Sequence, residues 1–379
     1  MTKLIPYKLQ LWNDLMALTA GFEAFYFADQ KIDDDWFRIF NYRLASYTEF
    51  LQPNALECRG HMFRISEEGY NAQPLELVSL PMTKFFNLNE CPLTMNLDLS
   101  TVVEIWDKMD GSLISTYLTS DGNMKLKSKG SLHSDHVLVA TEWLSDNSDL
   151  EELIYDYVKD EFTVNMEWCS PVQRIVIGYP DPFLRVLNVR NNQTGQYVPT
   201  HKLENHFEDW LVDSVNIDPE NIPDFIANIP NMEGIEGFVL RLASGQRVKI
   251  KTNWYLALHH VKDRINSPRR LFEAVLEETT DDMRSMFFDD PLAIQTIQNM
   301  ENFVAKTYNH MVDMVERFYE RNKHLPRKEY AILGQKEFAG TFYFGLAMNK
   351  YSGKTFSYKD FLKDKWKKLG LKDKVENDE

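Results

Sequence analysis

Cysteine is scarce in this 379-residue chain, and the little present does not cluster. Cys58, Cys91 and Cys169 are far apart and odd in number. They supply neither a metal-ligand spacing nor a disulfide framework, so a reducing compartment is expected. The nine histidines are scattered too. His259 and His260 are adjacent, but neighbours on a helix point different ways, which disfavours a zinc site there. No apolar run approaches the roughly 20 residues that span a bilayer. The start, MTKLIPYKLQ, has no apolar segment or small-residue cleavage site, so a cytoplasmic protein is expected. Positive charge is in deficit as well, with 42 Lys and Arg against 57 Asp and Glu and a formal net charge of -15. That balance argues against nonspecific wrapping of nucleic acid. It leaves room for a local basic groove on an acidic body.

What is present is an ordinary globular mixture, 44% hydrophobic and 26% charged, long enough for one large domain and a smaller one. The texture changes near residue 256. Before it, short alternating runs predict strands at His61–Ile65, Leu75–Ser79, Leu113–Leu118, Arg174–Tyr179, Phe183–Arg190, Gly237–Leu242 and Arg247–Lys251. Helices are expected at about Lys8–Phe27, Asp149–Val158 and Leu203–Val212. After it, Leu271, Val275 and Leu276, then Met300, Phe303, Val304 and Tyr308, keep helical spacing. Pro268, Pro291 and Pro326 fall where helices should start or be separated, and Ile294–Tyr319 reads as one long helix. The division expected is 1–256 and 257–379.

The sharpest local signal is Lys108-Met109-Asp110-Gly111-Ser112, between two strand-like segments. Asp-Gly is common turn chemistry, so a solvated turn is the plain reading. The alternative is a nucleophilic lysine on a tight turn. A lysine nucleophile must lose a proton whose ordinary pKa is about 10.4, which takes burial, nearby cations or a metal. Candidates follow. Lys249-Ile250-Lys251 lies on a strand, where alternation puts both lysines on one face. Alone, the pair reads best as the exposed face of an edge strand; facing inward, it would need an anion such as a polyphosphate. Glu167, between Met166 and Trp168, points either to solvent or into a site. Glu57-Cys58-Arg59-Gly60, seen alone, is a surface turn.

The ordered set Arg59-Gly60, Lys108-x-Asp110-Gly111, Glu167, Glu236-Gly237 and Lys249-x-Lys251 resembles the covalent nucleotidyltransferase superfamily of ATP-dependent ligases and capping enzymes. Leu56–Gly60, Lys84–Glu90, Ser115–Leu118, Lys127–Ser131, Trp254-Tyr255 and the Phe40–Tyr47 segment are similar, more narrowly, to the RNA ligase 1 family of T-even bacteriophages. The likeness runs from about residue 36 to about residue 290.

That resemblance implies an α+β nucleotidyltransferase domain of antiparallel sheets around a nucleotide cleft, followed by an all-helical domain. It implies three steps: lysyl-AMP formation on Lys108, AMP transfer to an RNA 5′-phosphate, and sealing by a 3′-hydroxyl. The cosubstrate would be ATP, with Mg²⁺. By the same resemblance Arg59, Lys84, Lys249 and Lys251 grip phosphate or ribose, Lys251 at the α-phosphate and Lys249 keeping Lys108 deprotonated. Tyr42, Phe86, Gly111, Lys129 and Gly237 shape the nucleotide pocket. Glu167 and Glu236 bind or orient Mg²⁺, hard oxygen donors suiting that ion. Tyr255 matches a position needed for ligation. Asp281 is a second metal contact by resemblance, while Thr279-Thr280-Asp281-Asp282 before a helical run reads more simply as a helix start.

A DNA ligase would carry arginine two places after the motif glycine, where this chain has Leu113, and an OB-fold where this chain turns helical. A noncatalytic RNA-binding protein built on a decayed ligase domain is the reading from another class; the presence of every expected charged position argues against it. The substrate implied is single-stranded RNA, or RNA broken in a loop such as a tRNA anticodon loop, in phage RNA repair within a host cytoplasm. Without a recognisable phosphatase or kinase motif, a separate end-healing enzyme is expected. Lysines from Lys350 to Lys374, interleaved with Tyr358, Phe361 and Trp366, read first as a soluble helix exterior and second as an RNA contact.

Overall fold

A computed structural model describes residues 5–173, 175–258, 265 and 267–371. His259 and His260, Arg174, Lys372 and Lys374 lie outside the described residues. The chain divides into two compact units, Met1–His259 and His260–Glu379. The fold is α+β, with antiparallel sheets first and helices after, as the sequence implies.

The first unit opens with helix α1 (Pro6–Gly21), whose Leu11, Trp12, Leu15 and Leu18 are buried on one stripe. Each such side chain contributes about 1.5–3 kcal/mol by leaving water. The expected continuation to Phe27 does not occur. The helix stops at Gly21, Phe22 is extended, and Phe25 begins β1 (Phe25–Ile32). The aromatic run Phe25-Tyr26-Phe27 suits a pleated surface better than a helix. A two-residue turn with Asp33 at φ 53° returns the chain along β2 (Asp35–Tyr42). With β3 (His61–Ile65) and β4 (Pro74–Ser79) these make an antiparallel sheet in the order β1-β2-β3-β4. One face packs on α1 through Trp12, Phe40 and Phe63. The other, with Phe37, Ile39, Met62 and Val78, meets Tyr117 of a second sheet.

That second sheet is β10-β9-β7-β8, from β7 (Ser112–Leu118), β8 (Met124–Ser128), β9 (Phe162–Cys169) and β10 (Phe183–Asn191). Helices α2 (Asp135–Ser145), α3 (Ser148–Val158) and α4 (Thr200–Phe207) pack their apolar stripes against it. The third sheet, β5-β12-β11-β6, joins β5 (Phe86–Asn87), β6 (Val102–Asp107), β11 (Gly237–Leu242) and β12 (Arg247–Lys251), and is covered by α5 (Ile222–Asn228). Only its β5–β12 pair is parallel.

Two further expected elements of the first unit differ. No strand forms over 175–179, because the Val176 and Ile177 amides donate to Asp110 instead of a ladder. The helix expected to reach Val212 ends at Phe207, where Glu208 takes φ 43°. In the second unit a helix spans Pro291–Asn322, longer at both ends than expected, with the Asp290 carboxylate capping its first amides. Pro268 opens another helix, Pro268–Leu276, and Pro326 precedes Arg327–Glu337.

Candidate active site

The chain crosses from the third sheet to the second at the motif itself. β6 ends at Asp107, β7 begins at Ser112, and Lys108 is anchored by its amide to the Gly237 carbonyl at 2.9 Å. The crossing needs a glycine. A Cβ on Gly111 would sit 2.3 Å from the Trp168 carbonyl oxygen, closer than any side chain tolerates.

The Lys108 ammonium lies 2.9 Å from Glu236 Oε1, and Lys251 Nζ lies 3.1 Å from the same oxygen. Glu236 is buried. Burial alone would raise its pKa, but Lys108 and Lys251 outweigh that and hold the carboxyl below its ordinary range. Its other oxygen, Oε2, is buried without a hydrogen-bond partner. The edge-strand reading of Lys249 and Lys251 fails here: β12 lies between β5 and β11. Val248 and Ile250 go into the core, leaving Arg247, Lys249 and Lys251 on the opposite face.

Lys108 opens onto a cavity of about 470 Å³ whose lining includes Arg59, Gly111, Lys129, Glu167 and Arg247, with Trp106 and Val239 as apolar wall. Glu167 is only partly exposed there. Burial pushes its carboxyl up to about 7; Lys108 pulls the other way, and Glu236 and Asp110 add to the rise. Beside this cavity two lysines stand over aromatic rings. Lys129 Nζ is 4.3 Å from the centre of the Tyr42 ring, and Lys84 Nζ is 4.9 Å from that of Phe86 and 5.9 Å from that of Tyr42.

Asp110 is buried and fully engaged. Its Oδ2 accepts from the Val176 and Ile177 amides at 2.8 and 2.6 Å, and its Oδ1 accepts from the Tyr255 hydroxyl at 2.7 Å. The Tyr255 ring also lies 5.0 Å from Lys251 Nζ. This gives Tyr255 a physical role that the sequence did not supply: it ties the motif turn to the helix after β12.

Residues 57–255 match an RNA ligase family, and residues 262–369 match the T4 RNA ligase 1 C-terminal domain. The chain belongs to this RNA ligase family. Among curated relatives, a putative RNA ligase of Thermovibrio ammonificans is 26% identical over 251 residues, 64% of this chain and 64% of that protein. A putative bifunctional polynucleotide kinase/RNA ligase of Autographa californica nuclear polyhedrosis virus is 26% identical over 263 residues, 62% of this chain. The chain thus spans 35% of the viral relative's length and just under two thirds of the bacterial one's. An archaeal ATP-dependent RNA ligase structure is similar in fold, with a TM-score of 0.50 and 13% identity over 93% of this chain and 100% of that one.

In this RNA ligase family member the structure gathers Arg59, Lys108, Gly111, Lys129 and Glu167 around one cavity, with Glu236 bonded to both Lys108 and Lys251. Gly237 opens β11, its backbone opposite Lys251. Asp281 belongs to the second unit, in the first turn of helix Thr280–Met286, with Asp282 buried beside it. Among the described residues no group of three or more His, Cys, Asp or Glu could hold a metal unaided. The free buried oxygen of Glu236 and the neighbouring Glu167 carboxylate fit Mg²⁺, which commonly takes one or two protein carboxylates and completes its shell with water and substrate phosphate.

Sequence reasoning missed several groups behind this site. Glu57, dismissed as part of a surface turn, makes two bonds to Arg190, at 2.8 and 2.9 Å, and lies 2.8 Å from His61. Arg247 stacks 3.8 Å from the Tyr197 ring centre. The alternation that paired Lys249 with Lys251 could have found Arg247, since it lies one step earlier on the same face. Nothing local announces Arg190. In the second unit Lys350, Lys359 and Lys363 bond to Glu316, Glu278 and Glu277, and Trp366 is buried, in keeping with the helix-exterior reading.

Proposed function

We propose that this chain is an ATP-dependent RNA ligase that joins a 5′-phosphate to a 3′-hydroxyl through AMP carried on Lys108. The observation that carries the reading is the Lys108 ammonium at the wall of a nucleotide-sized cavity, sharing one buried carboxylate oxygen with Lys251. Membership of the RNA ligase family supports the same reading.

Lys108 Nζ attacks the α-phosphorus of ATP. A P–N bond forms, the bond to pyrophosphate breaks, and the amine proton has Glu236 Oε1 within reach. Lys251 is freed from Glu236 to meet the α-phosphate, and Lys249 on the same strand face adds the positive field that favours a neutral Lys108. Arg59, Lys84 and Lys129 neutralise phosphate or hold ribose, with Tyr42 and Phe86 fixing the two lysines. Mg²⁺ held by Glu167 and Glu236 would neutralise phosphate charge; Asp281 stands as a metal contact by resemblance alone, with no part in adduct formation. The RNA 5′-phosphate then displaces Lys108 from AMP, and a 3′-hydroxyl displaces AMP in turn. Single-stranded or loop-broken RNA, tRNA among it, is the proposed substrate, and end healing falls to another activity.

The test is covalent. After incubation with ATP and Mg²⁺, the chain should carry one AMP as an acid-labile adduct, and adding 5′-phosphorylated RNA should discharge it into ligated product. A chain that binds ATP but never acquires AMP would leave only the binding-protein reading.

The second unit is proposed to select RNA, because the groups gathered around Lys108 all belong to the first. Truncation after residue 259 should leave adduct formation within about threefold. Ligation on a panel of RNA ends should fall at least about tenfold or change preference. Equal ligation of every RNA by the folded truncation would refute selection.

A further inference from the structure

Lys127 is a buried titratable group that the reaction above does not use. It lies on β8, is fully buried, and donates from Nζ to the Gly60 carbonyl at 2.8 Å. No carboxylate among the described residues pairs with it. The groups facing it are the Arg59 guanidinium on the turn and the His61 imidazole on β3. Burial pulls the Lys127 ammonium down to about 7, with Arg59 repulsion adding, and burial likewise lowers His61.

The surroundings explain why a lysine stands there. Gly60 has φ 91°, and a Cβ on it would lie 2.6 Å from the Lys129 carbonyl oxygen and 3.3 Å from Lys127 Nζ. Its amide donates to the Phe40 carbonyl at 2.7 Å, and Asn41 Nδ2 donates to the Lys129 carbonyl at 3.0 Å. The Gly60 backbone therefore meets β2 and the Lys129 carbonyl just after β8, and the Asn41 side chain joins β2 to the same carbonyl. A buried carbonyl needs a donor, and Lys127 supplies it from the strand that leads into Lys129. An unpaired buried ammonium beside Arg59 opposes folding; such violations of local rules gather at functional sites.

We propose that Lys127 is a positioning residue of the nucleotide cleft, holding the Arg59–Gly60 turn against the end of β8 so that Arg59 and Lys129 enter one cavity. The inference rests on the reading that this cavity takes ATP. It does not require Lys127 to touch the nucleotide.

The experiment compares full-length wild type with Lys127→Met, which keeps the volume and removes the donor, and Lys127→Gln, which keeps a shorter donor. Three readouts are taken: lysyl-AMP formation against ATP concentration, amide exchange of the segment around Arg59–Gly60, and Tm from pH 6 to 10. With Met, the KM for ATP should rise at least about tenfold while the saturating rate stays within about threefold, and the turn should exchange faster. Gln should recover part of both effects. The Tm comparison separates this from a structural role. The folded state resists protonating Lys127, so wild-type stability should rise as pH climbs from about 7 toward the ordinary lysine value. The Met variant lacks that rise; relative to wild type it should be most favoured at or below pH 7 and lose that advantage toward pH 10. Unchanged KM with unchanged exchange in both variants would overturn the proposal. Faster exchange in a protein whose wild type forms no lysyl-AMP would instead refute the proposed function and leave the hold on the turn standing.

Discussion

Lys108→Ala is expected to bring AMP adduct formation below detection, a loss of at least about 10⁴-fold, while ATP is still bound. The replacement deletes the nucleophile and leaves the fold, because the Lys108 side chain faces the cavity and its backbone bond to Gly237 survives. Removing one ammonium from Glu236 still leaves Lys251 at 3.1 Å, so the buried carboxylate keeps a partner and stability should change little. Lys129, which lines the same cavity, stands over the Tyr42 ring. Lys251 is held between Glu236 and the Tyr255 ring, and Lys127 is enclosed with its amine on the Gly60 carbonyl. Mass spectrometry of the intact chain after ATP and Mg²⁺, kept away from strong acid, checks this directly. An adduct of ordinary yield on the Ala variant would place the nucleophile elsewhere and take the proposed chemistry with it.

Legibility in the sequence followed the range of the interactions. β11 and β12 were read to the residue, since Val248 and Ile250 alternate with Arg247, Lys249 and Lys251 over an undivided pattern. What alternation could not decide was which side the charged face meets. That depends on β5, a two-residue strand from another part of the chain, which removes the edge. Glu167 was undecidable for the same reason. Its neighbours Met166 and Trp168 enter the core of the second sheet, and only the approach of Lys108 and Glu236 gives the carboxylate a site to face. The failed strand over 175–179 has its cause 66 and 67 residues upstream of the amides concerned, in the Asp110 carboxylate that takes Val176 and Ile177. Glu57 looked like part of a solvated turn because Arg190, its partner, is 133 residues away. Motif resemblance reached Lys108, Glu236 and Lys251 as single positions. That two of them share one oxygen of the third is a fact of the fold.

Glu236→Gln should cut the rate of adduct formation at saturating ATP by about 100-fold or more and leave ATP binding equal or tighter. The substitution preserves shape and removes the negative charge bonded to both Lys108 and Lys251. Two effects then compete. Losing the carboxylate makes Lys108 easier to deprotonate, which alone would speed attack. Against that, the enzyme loses the oxygen within 2.9 Å of the amine that can take its proton, and the carboxylate whose second oxygen stands free for a cation. General acid–base catalysis typically contributes about 10²–10⁴-fold, so the loss should win, and 100-fold corresponds to about 2.7 kcal/mol of barrier. Binding should move the other way. With Glu236 neutral, Lys108 and Lys251 present more positive charge to the cavity, which favours a polyphosphate anion. Single-turnover rates and calorimetric ATP affinity measured on the same variant separate the two effects. A variant that lost ATP affinity while keeping its rate would make Glu236 a ground-state anchor and remove it from the chemical step.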